Sequence, residues 1–185
     1  MNREFRKEIF LEVYGWIRLI FFTIAFALFF NFFIIVNAVI PSGSMEQTIM
    51  TGDRIIAFRL SYTFAEPQRH DIVILPDPDD LRGELYIKRI VGMPGETLFI
   101  ADGQVYIVPE GMYVAEPLYE HFLNPNDPPR CNFGPITIPH EYFFVMGDNR
   151  NNSMDSRHWN NQFVYTNNIL GRAIFRYHPG FTILQ

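Results

Sequence analysis

"ELYIKRIVGMPGETLFIADGQVYIV", residues 84–108, contains short alternating runs separated by Gly, Pro and Asp. A period of two sends successive side chains to opposite faces of an extended chain, and β-branched and aromatic residues suit a pleated, half-buried surface. Asp102-Gly103 sits between two of the runs, and a two-residue type I′ turn needs the positive φ that these residue types tolerate. The stretch therefore predicts successive strands, the last two joined as a hairpin.

Downstream and upstream of it the same character recurs. "DRIIAFRL", "HDIVIL", "ITIPHEYFFVM" and "NILGRAIFRYH" are short, apolar and bounded by turn residues, which predicts a mostly β, antiparallel domain over residues 41–185. Pro109 to Pro135, including "NPNDPPRCNFGP", reads as loop and divides two halves of the β structure. No repeat or low-complexity tract is present.

The N-terminal part has another pattern. "LIFFTIAFALFFNFFIIVNAVI", Leu19 to Ile40, is interrupted by only three clearly polar residues, Thr23, Asn31 and Asn37. As a helix it would reach roughly 33 Å, enough to cross a bilayer, so a transmembrane helix is expected over 19–40 with residues 1–18 as a cytoplasmic segment. A core helix rarely needs so long an apolar run. Val36-Asn37-Ala38 faintly resembles a processing site, but the apolar region of a cleavable signal is shorter, about 7–15 residues. Arg3, Arg6, Lys7 and Arg18 precede the run while only Arg54 and Arg59 follow closely. That asymmetry puts the N-terminus in the cytoplasm and the β domain on the other side. Trp16 is placed to anchor at the interface.

Composition excludes several classes. A net charge of −5 without a basic run beyond the N-terminus argues against nucleic acid as partner. The single cysteine, Cys131, excludes an internal disulfide framework, and the five histidines show no metal-ligand spacing, so no metal is expected.

Ser44, in "IPSGSMEQTI" at residues 40–49, is by itself ordinary turn chemistry. No GxSxG elbow surrounds it and no His–Asp pair stands out, which leaves lysine as a candidate base. Strand alternation puts Lys88 on one face with Tyr86 and Ile90, and Ile87, Arg89 and Val91 on the other. Burial there would lower the pKa of the amine and let it accept a serine proton; a lysine snorkelling from a sheet edge is the competing reading. "MGDNRNNSMDSR", Met146 to Arg157, is either a polar turn or a loop held rigid by charge-assisted bonds.

Together "PSGSM", "GDRI", "DIVIL" with "YIKRIVGMPGE", and "GDNRNNSMDSR" resemble, in order, the motifs of bacterial type I signal peptidases, from the membrane segment to near the C-terminus. The resemblance implies a membrane-anchored Ser/Lys serine protease that cuts signal peptides from secretory preproteins after a small-x-small site, using no cofactor. It implies an antiparallel catalytic sheet with a small inserted β subdomain, here roughly 101–138. Ser44 is then the nucleophile and Lys88 the general base. Ser42 and the Ser44 N–H form the oxyanion hole, and Ser153 orients Lys88. Asp148, Asp155 and Arg157 support the loop, Arg89 pairs with Asp148, and Ile40, Met45, Ile49, Tyr86 and Ile87 surround shallow substrate pockets. The implied setting is the bacterial plasma membrane, with lipid bilayer and secretion translocon nearby. Phe58, Tyr62 and Phe64 either rest on that bilayer or pack in the core. Departures are Gln47 for a frequent proline, His70 for a glycine, Glu96 for an aspartate and "HWNN" without its usual glycine; none touches the dyad. Two rivals stand beside this reading: a non-catalytic membrane-anchored β module that binds secretory chains, and a self-cleaving Ser/Lys repressor-type protein.

Overall fold

The structure, a computed structural model, describes residues 3–79 and 84–184. It begins with one helix, α1 (Arg3–Phe33), whose segment Lys7–Phe33 has mean hydropathy 2.0 and no residue covered by the rest of the chain. This segment is long and apolar enough to cross a membrane. The helix expected over 19–40 is corrected at its C-terminal end: it stops at Phe33, and Ile35–Val39 form strand β1. An apolar run has the same composition in a span and in a buried strand. Here the β-branched cluster Ile34, Ile35 and Val36 ends the helix, because an edge of the sheet can take up its backbone and bury Val36.

The remaining strands are β2 (Arg54–Phe58), β3 (Ile72–Pro76), β4 (Leu85–Gly92), β5 (Thr97–Ala101), β6 (Gln104–Val108), β7 (Glu116–Pro117), β8 (Phe133–Thr137), β9 (Tyr142–Met146), β10 (Val164–Tyr165), β11 (Gly171–His178) and β12 (Thr182–Ile183). Two antiparallel sheets result among the described residues. The larger has the order β1-β2-β11-β3-β4-β9-β10 with β12 pairing β11; the smaller has the order β7-β6-β5-β8. The Asp102-Gly103 turn joins β5 to β6 with φ of 50° and 76° at its two residues, the geometry a type I′ hairpin requires.

The inserted sheet covers 97–137, a little earlier than the expected 101–138, and it has no core of its own. Leu98, Ile100, Val105 and Ile107 pack in one cluster with Val91 of β4 and Phe144 and Met146 of β9. Two further clusters lie against the main sheet. One is built on Met45, Ile49, Ile55 and Ile74, the other on Val73, Ile90, Val145 and Trp159. At about 1.5–3 kcal/mol per buried aliphatic side chain, these clusters fix β4 from both faces and leave Lys88 and Arg89 little freedom to move.

Candidate active site

The chain between β1 and β2 folds back on itself through Ile40 N–H to Asp53 O (2.9 Å) and Gly52 N–H to Ile40 O (2.9 Å). Met45 and Ile49 are fully buried and pin this loop to the core, so a single 3₁₀ turn, Gly43–Met45, presents Ser44 to β4. Lys88 Nζ lies 2.9 Å from Ser44 Oγ and donates also to Ile87 O at 3.1 Å. An ammonium can donate to Oγ across that distance, and a neutral amine can accept the hydroxyl proton across the same distance. Ser44 and Lys88 are both buried. The Tyr86 ring lies 5.0 Å from Nζ and is itself stacked on Trp159. Burial pushes the Lys88 pKa from 10.5 down to about 8, against the opposing pull of the Asp155, Asp148 and Asp77 carboxylates.

The stretch after β9 clamps this pair from above. Asp148 accepts from Arg89 Nε (2.9 Å) and Nη2 (2.8 Å), with both side chains fully buried, and from Thr48 Oγ1. Arg89 also stacks on Phe122 and donates to His70 O (2.8 Å). His70 has φ of 71°, a left-handed conformation that explains why the resembling motif favours glycine there. Asp155 accepts from the Gly147 N–H (2.9 Å) and from Arg157 Nε and Nη2 (2.8 Å each). Burial alone would raise the Asp155 carboxyl, but the Arg157 bonds and the Gly147 N–H outweigh it and hold the carboxyl below its usual range. Arg150 donates to Gly147 O (3.1 Å) and forks onto Glu120 of the inserted subdomain, a buried ion pair that ties the subdomain to the loop.

The structure thus brings Ser44, Lys88, Arg89, Asp148, Asp155 and Arg157 together. Ser42 is exposed at the mouth of a cleft of about 330 Å³ also lined by Gly43, Ser44, Tyr86, Lys88, Asn152 and Met154. Its hydroxyl makes no capping bond to the 3₁₀ turn. The other expected residues are placed as follows. Ser153 Oγ is buried and completes no hydrogen bond with Lys88 or any other group among the described residues. Of the five residues expected around the substrate pockets, only Tyr86 lines the cleft; Ile40, Met45, Ile49 and Ile87 are packed together in the core beneath it. Their apolar character serves to hold the loop that carries Ser44 down. Tyr62 is likewise drawn inward, donating to Asp71 at 2.9 Å, while Phe64 is exposed.

Sequence reasoning missed three contributors. Thr48 reaches Asp148, and Asn149 donates from its backbone N–H to Ser44 O at 3.0 Å. Gly147 passes so close that a Cβ there would lie 2.3 Å from both Ser44 O and Ser153 Oγ. Only the crowding of "GDN" next to an apolar strand hinted at this. Among the described residues, no group of three or more His, Cys, Asp or Glu is placed to hold a metal ion.

Comparison with known proteins identifies the family. A family profile described as signal peptidase, peptidase S26, matches residues 13–178. The signal peptidase I of Leptolyngbya laminosa is 37% identical over 169 residues, covering 88% of this chain and 78% of the relative. Signal peptidase I S of Bacillus subtilis is 34% identical over 186 residues, covering 94% and 92%. A solved signal peptidase I from Enterococcus faecalis aligns with 58% of this chain and 97% of its own at 30% identity, with a TM-score of 0.47. With the family match running over most of its length, this chain belongs to the peptidase S26 family, the signal peptidases, serine endopeptidases that remove signal peptides from precursor proteins.

Proposed function

We propose that Ser44 and Lys88 carry out the peptidase reaction of this chain, cutting secretory precursors after a small-x-small site. The observation that carries the reading is the buried 2.9 Å contact between Lys88 Nζ and Ser44 Oγ. The neutral amine takes the hydroxyl proton as Oγ bonds to the scissile carbonyl carbon, and the carbonyl π electrons move onto oxygen. Collapse of that oxyanion breaks the C–N bond, and the departing amine takes its proton from the Lys88 ammonium. Water, deprotonated by the same amine, then hydrolyses the acyl-enzyme. The Ser44 N–H and the Ser42 hydroxyl receive the oxyanion. Asp148, Asp155 and Arg157 hold the loop that faces the dyad, and Ser153 orients Lys88.

The helix α1 supports a membrane location. The 20 residues ending at Phe33 begin at Tyr14 and match a bilayer core of about 30 Å. Arg18 then lies a turn inside the cytoplasmic boundary, where its long stem lets the guanidinium snorkel out, and Trp16 lies in the interface. The basic N-terminus is cytoplasmic, the β domain extracytoplasmic, and the precursor is met in the same plasma membrane beside the translocon. The purified protein is tested in bilayer vesicles on a secretory precursor: wild type releases the mature chain, whereas Ser44→Ala and Lys88→Met do not. Release by Ser44→Ala at the wild-type rate would refute the assignment.

A further inference from the structure

We propose that Asn149 is a positioning residue of the oxyanion hole, acting through the peptide unit that joins Gly43 to Ser44. Its side-chain Nδ2 donates to Gly43 O at 3.0 Å and to Glu46 Oε2 at 3.3 Å. Both neighbours are pure acceptors, so the two amide hydrogens are committed and the orientation of the amide is fixed by its surroundings. The carbonyl of Gly43 and the N–H of Ser44 belong to one planar trans peptide, in which they point in opposite directions. A donor that pins the carbonyl therefore fixes the direction in which the Ser44 N–H points. It also polarises the unit and makes that N–H a stronger donor, as bonds in a chain strengthen one another.

The 3₁₀ turn supplies only one other donor to Gly43 O, the Glu46 N–H at 3.1 Å, and a short turn alone holds a peptide plane loosely. Glu46 has a further part: it fills the space beside Gly43, where a Cβ would lie 2.5 Å from its carboxylate, and so backs the amide from behind. The separate Asn149 backbone bond to Ser44 O, 3.0 Å long, ties the loop whatever the side chain is. Side-chain substitutions thus remove the aiming bond while leaving the tether in place.

The inference rests on the Ser44 N–H receiving the oxyanion. The test measures kcat, KM, the pH dependence of kcat/KM and the melting temperature for Asn149→Ala, Asn149→Asp and Ser42→Ala on a quenched fluorogenic small-x-small peptide. Losing an oxyanion donor outright costs about 10²- to 10³-fold. A donor that is still present but misaimed predicts a loss of about 10-fold in kcat for Asn149→Ala, with KM, the acidic limb and melting temperature unchanged. Asn149→Asp should be slower still, because a carboxylate facing Gly43 O and Glu46 repels the plane it should hold. Wild-type kcat in Asn149→Ala beside a slowed Ser42→Ala overturns the role of Asn149 and leaves the oxyanion hole standing. Wild-type kcat in Ser42→Ala and both Asn149 variants overturns the oxyanion reading itself. A shifted acidic limb in Asn149→Ala would mean that the residue positions the dyad instead, which also overturns the proposal.

Discussion

Lowering the pH is the perturbation that most directly questions the dyad. With a pKa of about 8 in place of 10.5, the amine of Lys88 is neutral in about 9% of molecules at pH 7, against about 0.03% for an unperturbed lysine. Burial thus raises the concentration of competent base roughly 300-fold at neutral pH. The acidic limb of kcat/KM, measured with a fluorogenic peptide, should bend near pH 8 and fall tenfold per unit below it. The same shift carries a stability cost of opposite sense. The unfolded chain binds the Lys88 proton more tightly than the folded chain. The penalty, on the order of 3 kcal/mol, is therefore complete below pH 8 and fades as pH rises toward 10.5. Lys88→Met should consequently melt higher than wild type at pH 7, with the gain lost above about pH 10.5, while turnover disappears. A limb bending above pH 9.5, or the same limb persisting in Lys88→Met, would refute the argument. Asp77 pulls the pKa upward from a half-buried position, so Asp77→Asn should move the limb to lower pH.

Gly147→Ala should lower both activity and stability, the latter by about 1–3 kcal/mol, because the new methyl meets the Ser44 carbonyl and the Ser153 hydroxyl at once; steady-state kinetics and urea unfolding check it. Asp148→Ala removes the carboxylate that neutralises the fully buried Arg89 guanidinium and should cost about 3–5 kcal/mol, visible as a drop in melting temperature on the order of 10 °C. A chain beginning at Ile34 should fold and cleave soluble peptide, but process membrane-inserted precursor slowly for want of co-localisation. One beginning at Ala38 loses most of the β1 ladder and buried Val36, and should unfold at markedly lower urea.

The strands of the catalytic domain were legible because alternation is local: β4 reads directly as two faces, and Asp102-Gly103 names its own turn. The end of α1 was not, since Ile34 to Ile40 satisfy a bilayer and a sheet edge equally well, and only the pairing partner Arg54–Phe58 decides between them. Ser44 and Lys88 were singled out through their motifs, but their contact spans 44 positions and depends on the core beneath Met45 and Ile49. Thr48 reaches the Asp148 side chain, Asn149 the Gly43 carbonyl and Gly147 the Ser44 carbonyl, each about 100 positions away along the chain, and no local pattern announces contacts of that range. An isoleucine in turn reads the same whether it faces a ligand or a core, so the burial of Ile40, Ile49 and Ile87 was not legible either.

One residue, Ile34, separates the end of α1 from the start of β1, and its carbonyl is taken by the Arg59 N–H at 2.8 Å. With α1 set in a bilayer, the catalytic body has no slack on its mount. The five residues of β1, at about 3.3 Å each, become a ruler of about 17 Å between the end of the rod and the loop that carries Ser44. Seated in this way the enzyme would measure as well as recognise: a precursor would be cut where its own chain, counted from the end of its apolar stretch, reached that height.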